Sequence, residues 1–326
     1  MILATLIPGC AQARPKVSMD PYGFRRRFVD PSGRVIDTGN GDISHSEGQG
    51  YGMLLAEAEG DRAGFDLIWD WTRKTLARPD GLFSWRYDPK AAKPVTDANN
   101  ATDGDMLIAW ALLRASVRWP QSSYGSASGV IRSALANKAI VEHGGRLVLL
   151  PALVGFVTGH RLTLNPSYYV WPALDAFAKA DGGKWPVLVK DGERLIAQAR
   201  FGATRLPTDW IDLAANGDIS PAAGRPPRFG FDAIRIPLYL KWSKRHAAAE
   251  PFGAFWAGFT GRKAPIPAWI DVVSGEEAPF PVSTGAGAIV QLVLPGAPKP
   301  TAELLVKEDY YSNVLATLCL LAASNG

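Results

Sequence analysis

Asn99-Asn100-Ala101-Thr102-Asp103-Gly104-Asp105-Met106-Leu107-Ile108-Ala109-Trp110-Ala111-Leu112-Leu113 is the stretch that decides the fold, because it sets two carboxylates two residues apart at the mouth of a strongly apolar helix. The apolar run continues to Trp119 at three- and four-residue spacing, the helical period. A helix start takes one cap and a dipole partner, most naturally Thr102 or Asp103. The other acid needs a further reason to be there.

The same period recurs along the chain, in Gly52 to Ala58, Phe65 to Leu76, Val130 to Val141, Tyr168 to Ala180, Trp185 to Ala199, Ile234 to Trp242 and Val314 to Leu321. Strand-like alternation is sparse. Pro and Gly cluster at residues 78–81, 218–230 and 279–287, which mark loops without a composition shift large enough for a domain boundary. Ten to twelve helices joined by substantial loops predict a single all-α toroid of helical hairpins, since two-helix units pack most simply on their neighbours. A solenoid is disfavoured because no fixed repeat period is present.

Composition narrows the function classes. At 47% hydrophobic and 20% charged, the 326 residues match a globular enzyme with a full core. The net charge of +4 is scattered, with Arg25-Arg26-Arg27 the densest group, so no nucleic-acid face is indicated. Cys10 and Cys319 are the only cysteines, and His45, His143, His160 and His246 are dispersed, which excludes a disulfide framework and predicts no metal and no cofactor. Several of the 11 Trp residues, among them Trp85, Trp171, Trp185 and Trp210, lie in polar or Gly- and Pro-rich surroundings. Such indoles either fill the core or stack on sugar rings, and for any single one the core is the commoner outcome. Residues 1–20 read as an export-signal remnant and N-terminal arm, with a short apolar stretch followed by Ala11-Gln12-Ala13, leaving 21–326 as the catalytic domain. No later apolar run is long enough to span a membrane.

Two more segments carry acids. In Ser44-His45-Ser46-Glu47-Gly48-Gln49-Gly50-Tyr51-Gly52-Met53, Glu47 sits at a helix mouth among glycines that let another body approach the backbone. Alone, this reads as a helix start with Ser46 as cap. In Arg228-Phe229-Gly230-Phe231-Asp232-Ala233-Ile234-Arg235, an acid precedes an arginine by three positions, which alone reads as an ion pair on one helix face.

Taken together, these segments resemble glycoside hydrolase family 8. Ala101-Thr102-Asp103-Gly104-Asp105 matches the family's Ala-Ser/Thr-Asp-Ala/Gly-Asp signature without a gap, and the fit runs on through Ile108-Ala109 to Trp119. The Ser46 to Met53 segment is similar to its proton-donor segment, and Asp232-Ala233-Ile234-Arg235 to the segment of its general base. Asn165-Pro166-Ser167-Tyr168, Pro207-Thr208-Asp209-Trp210 and Tyr310-Tyr311-Ser312-Asn313 follow in family order, so the resemblance covers about residues 32 to 322. It looks closest to the periplasmic endoglucanases encoded with bacterial cellulose synthases.

The resemblance implies an (α/α)6 barrel and an inverting endo-β-1,4-glucanase that is periplasmic or secreted, with β-glucan as partner and a functional link to cellulose synthase. It implies Glu47 as general acid, Asp232 as general base and Asp103 as the group that holds the central sugar and stabilises charge at its anomeric carbon. Substrate contacts then fall to Trp85, Asp105, Tyr168, Trp210, Arg235 and Tyr310, with Arg235 beside Asp232 as its counter-ion. A helix N-terminus favours a carboxylate, whereas a general acid must arrive protonated. Asp103 is therefore expected to raise the pKa of Glu47 by like-charge repulsion. The family often has Tyr before the base; here Phe231 supplies no hydroxyl, and Tyr169 is a candidate to replace it. Chitosan, xylan or mixed-linkage glucan are alternative substrates within the family, and a non-catalytic glucan-binding component of a cellulose-export system is the alternative of another class.

Overall fold

A computed structural model describes residues 23–294, 296–297 and 305–324. The expected export remnant, Cys10 included, lies outside the described residues. The described chain is the expected (α/α)6 barrel, with eleven α-helices among those residues: Phe24–Phe28 (α1), Ser46–Glu59 (α2), Arg62–Thr75 (α3), Thr102–Arg118 (α4), Tyr124–Lys138 (α5), Trp171–Asp181 (α6), Lys184–Gln198 (α7), Arg235–Trp242 (α8), His246–Gly261 (α9), Thr284–Val293 (α10) and Tyr310–Ser324 (α11). Successive pairs α2/α3, α4/α5, α6/α7, α8/α9 and α10/α11 pack as hairpins, and α1 packs on α11 so that both ends of the ring meet. No helix among the described residues is long and apolar enough to cross a membrane.

Burial separates two kinds of helix. In α2, α4, α8 and α11 most residues are buried, down to Glu57, Asp105 and Thr317, so these form the inner wall. In α3 only Phe65, Ile68 and Thr72 are buried, and in α7 Trp185, Leu188, Asp191, Gly192, Leu195 and Ile196 make one inward stripe, the pattern of an outer helix. Close crossing of α2 and α4 depends on glycine. A Cβ on Gly50 would come within 2.5 Å of Leu107 Cβ, and one on Gly104 within 2.7 Å of the Glu47 backbone nitrogen.

The structure departs from the periodicity reading in three places. The segment Val130 to Val141 is displaced, since α5 begins earlier, at Tyr124, and ends at Lys138, and Ile140–His143 (β3) pairs with Arg146–Leu149 (β4). The segment from Tyr168 divides into a 3-10 turn, Pro166–Tyr168, and α6. Residues 279–287, expected as loop, include the first turn of α10. Short strands are also more numerous than expected. Val157–Thr158 (β5), Arg161–Leu164 (β6), Ile211–Ala214 (β7) and Ile219–Pro221 (β8) form an antiparallel sheet in that order, with Leu164 opposite Ile211. That register sets Tyr168, four residues after β6, beside Trp210, the residue before β7. Ser44–His45 (β1) pairs with Arg86–Tyr87 (β2), and Arg228–Phe229 (β9) with Ile270–Asp271 (β10).

Candidate active site

Arg235, the first residue of α8, gathers the expected acids. Its guanidinium is 5% exposed and lies 3.0 Å from Asp232, 3.3 Å from Glu47 and 3.9 Å from Asp103, while Nη2 also donates to Ser167 (3.0 Å) and Nη1 to Tyr311 (3.2 Å). Five separate elements thus converge on one cation. Because that guanidinium spans Glu47 and Asp232, their carboxyl groups lie within about 9 Å of each other. This bound admits the ~6.5–9.5 Å that an inverting pair needs for its water.

Glu47 stands in the first turn of α2. The cap is His45, not Ser46: His45 Nδ1 accepts from the Gly48 amide (3.0 Å), while the Ser46 amide donates to the Trp85 carbonyl (3.0 Å). Tyr51, four residues on and on the same face, donates to Glu47 (3.0 Å) and is linked to Tyr239 across the barrel by a 2.8 Å hydroxyl contact. Asp103 faces Glu47 from the first turn of α4, where neither Thr102 nor Asp103 is the cap; that position is Ala101, without a side-chain bond. Asp232 is held differently. The turn before α8 presents its amides at 230, 232 and 233 to Asp209 Oδ1, at 3.1, 3.1 and 2.7 Å, leaving the Asp232 side chain 30% exposed. Asp209 was visible only as part of Pro207-Thr208-Asp209-Trp210. Its positioning role depends on a turn more than twenty residues away.

The electrostatics reverse the expected relation between Glu47 and Asp103. Burial pushes Glu47 up, but Arg235, His45, Tyr51 and the hydrogen bond with Asp103 outweigh it and hold the carboxyl below its ordinary value. Asp103 is pushed well above its ordinary value, first by burial and then by the charge of Glu47, with Arg235 farther away. Of the two carboxyls, Asp103 is therefore the one that keeps a proton more readily in the free protein. In the sequence Arg235 stands beside Asp232 alone, and its contact with Glu47 arises only on folding. Asp209 is raised to about 7, by burial and by Asp232.

Aromatic residues divide by exposure. Tyr168 borders all three acids, and burial followed by the charges of Asp103, Asp232 and Glu47 raises its pKa well above the usual value. Trp85 and Trp210 are half-buried, whereas Trp171 and Trp185 are core. The Trp85 indole donates to Asp97 (2.8 Å), and its backbone ties residue 46 to residue 99. Trp210 stacks on Phe156 with ring centroids 5.5 Å apart and meets the edge of Tyr168.

Three expected contacts are placed elsewhere. Asp105 is fully buried and accepts from the Phe83 amide and Asn100 (2.8 Å each), so it anchors the loop below the site, and burial raises it to about 8. Tyr310 is buried behind Glu47 against Phe24, Phe28 and His45, with no ring face free for a sugar; its neighbour Tyr311 reaches the site, donating to the Phe231 carbonyl. Tyr169 accepts from the Leu149 amide (3.2 Å) inside the core and does not replace the missing hydroxyl at Phe231, which is 56% exposed. Ser46 Oγ, Arg235 Nε and Tyr310 OH are buried without hydrogen-bond partners, a concentration of unsatisfied groups typical of a working site. Among the described residues no group of His, Cys, Asp and Glu is placed to hold a metal ion.

Comparison with known proteins gives the chain its family. Residues 15–325 match glycosyl hydrolases family 8. The chain is 46% identical to an endoglucanase of Cellulomonas uda over 83% of its own length and 76% of the relative's. It is 42% identical to a probable endoglucanase of Novacetimonas hansenii, over 92% and 88% of the two chains. Among solved structures, the endo-β-1,4-glucanase CMCax from Acetobacter xylinum superimposes with a TM-score of 0.90 at 39% identity, covering 96% of this chain and 99% of that one.

Proposed function

The chain belongs to glycosyl hydrolases family 8 and is an endoglucanase of β-1,4-linked glucan, and on that premise we propose an inverting hydrolysis with Glu47 as general acid and Asp232 as general base. The observation that carries this assignment is the gathering of Glu47, Asp103 and Asp232, from three separate elements, around the single guanidinium of Arg235.

Asp232 takes a proton from a water whose oxygen forms the new bond to the anomeric carbon. On the opposite face the bond from that carbon to the glycosidic oxygen breaks, and Glu47 protonates the departing oxygen. The proton comes from the Glu47–Asp103 pair. Asp103 passes that single proton across their hydrogen bond to Glu47, which delivers it to the departing oxygen, so that Asp103 is left a carboxylate when positive charge develops on the sugar. Arg235 fixes the three groups, and Asp209 holds the turn that aims Asp232. Tyr168 and Trp85 offer aromatic surface to the glucose rings, while the Trp210 ring carries Phe156 and Arg225 against it.

Initial rates on cellohexaose test the assignment. Glu47→Gln and Asp232→Asn are each expected to lower kcat by about 10²–10⁴-fold, the range of a lost general acid or base, with the fold retained by circular dichroism. Wild-type rates in both variants would reject it. Chitosan or xylan cleaved faster than cellohexaose would instead favour the other substrates of the family. We infer further that the enzyme works in the periplasm or as a secreted protein, linked to cellulose synthesis, in line with the export-like pattern of residues 1–13 and the resemblance to synthase-associated endoglucanases. Fractionation of the native source for activity, and the cellulose yield of a strain lacking the enzyme, test these two points.

A further inference from the structure

Beside the base lies a cavity of about 220 Å³, walled by Asp209, Trp210, Arg225, Arg228, Phe231 and Trp269. At about 30 Å³ per water this holds several waters, or a sugar substituent with part of its ring. It neighbours the reaction centre, since Phe231 adjoins Asp232 and Trp210 meets the edge of Tyr168.

Two arginines supply its charge. Arg225 lies over Trp210 at 4.1 Å from the ring centroid, and Arg228 over Trp269 at 3.5 Å. Stacking occupies the flat faces of the guanidiniums and leaves their N–H edges to other partners. Neither has a carboxylate within 4.0 Å among the described residues, and Arg228 Nε is buried without a hydrogen-bond partner. The acids nearby are otherwise engaged. Asp209 is turned to three backbone amides, and Asp271, opposite Arg228 in the β9–β10 ladder, accepts from the amides of Val273 and Ser274 while feeling the Arg228 charge.

The backbone holds the two cations in place. They flank Pro226-Pro227, whose fixed φ stiffens the segment, and the Arg228 and Pro227 carbonyls accept from the amides of Asp209 (2.7 Å) and Val272 (2.9 Å). A neutral glucan has no use for two guanidiniums beside its cleft, neither of them ion-paired within 4.0 Å among the described residues. A carboxylate matches their forked donors.

We propose that this cavity is a subsite for an acidic sugar, so that the enzyme favours β-1,4-glucan carrying uronic acid units, glucose oxidised to a carboxylate at C6. The inference rests on the glucanase reading and deepens it. Its test compares kcat/KM on cello-oligosaccharides bearing a single C6 carboxylate with that on the neutral oligosaccharides of equal length. The expected acidic-to-neutral ratio for the wild type is about ten, the effect of one charge-assisted hydrogen bond. It should collapse toward one at molar salt, where charges are screened beyond about 3 Å. Arg225→Met and Arg228→Met, which keep an unbranched side chain and remove the charge, should each lower that ratio, whatever they do to the overall rate. A wild-type ratio of one or less, a ratio indifferent to salt, or one unchanged in both variants would overturn the proposal. Failure to cleave the neutral oligosaccharides at all would instead sink the glucanase reading.

Discussion

In the proposed mechanism three acids and one arginine carry the chemistry, and what matters most at the residue scale is where the proton rests. A free-standing Glu47 beside Arg235 ionises too readily to serve as an acid, because the guanidinium favours its carboxylate. Pairing with Asp103 keeps a proton available at higher pH. Activity therefore disappears as pH rises through the raised ionisation of the pair, on the alkaline limb of kcat/KM. In Asp103→Asn only Glu47 remains to hold the proton, and its pKa lies below the ordinary value. The alkaline limb should then move to lower pH, besides any loss of height; a pH profile displaced only in height would contradict proton sharing. The acids themselves were legible in the sequence, since each sits in a motif recognisable without coordinates. The contact of Arg235 with Glu47 was not, because 188 positions separate the two residues and only closure of the barrel joins them. Tyr310 was displaced by Tyr311 for a simpler reason: adjacent helical residues point about a quarter-turn apart, and a motif does not say which of a Tyr-Tyr pair faces inward.

At the scale of elements, the active pair depends on how closely α2 and α4 cross. Gly104 permits that crossing, as a methyl group there would press on Ser46 Oγ and on the backbone nitrogen of Glu47, which cannot yield without moving the start of α2. Gly104→Ala is expected to destabilise the fold by about 1–3 kcal/mol, the usual cost of overpacking, measured as a drop in the urea midpoint. It should also impair turnover at temperatures where the variant is still folded, because the strain falls on the acid itself. Unchanged stability and turnover would show that the helices have slack there. The glycines around Glu47 thus serve helix contact, a use the sequence left unspecified between helix and substrate. Long inner helices were legible from their apolar period. The β5–β8 sheet was not, since strands of two to four residues are too short to display alternation. Helix α9 was hidden by Pro251, Gly253 and Gly258, which read as breakers until packing against α8 and α10 compensates for them.

The molecule as a whole is a ring of hairpins whose inner wall carries buried acids, and this makes its stability depend on pH. Asp105, at about 8, and Asp209, at about 7, both ionise higher in the folded protein than near 4 in the unfolded chain. The folded state thus binds more protons across that interval. The stability these groups contribute is complete below about pH 4 and is lost as pH rises toward 8. Urea midpoints should therefore fall between pH 5 and pH 8, and Asp105→Asn should flatten the decline; a midpoint that rises with pH and is indifferent to the substitution would contradict this. The acidic-sugar cavity belongs to the same scale, since its walls come from the segments at 209–210, 225–231 and 269, which no single motif unites. The central claim is that Glu47 and Asp232 act from opposite faces of one sugar with a water between base and anomeric carbon. Proton NMR of cellohexaose during the first moments of cleavage reads this directly. The account predicts that the new reducing end is released as the α-anomer and only later equilibrates, whereas initial release of the β-anomer would contradict it.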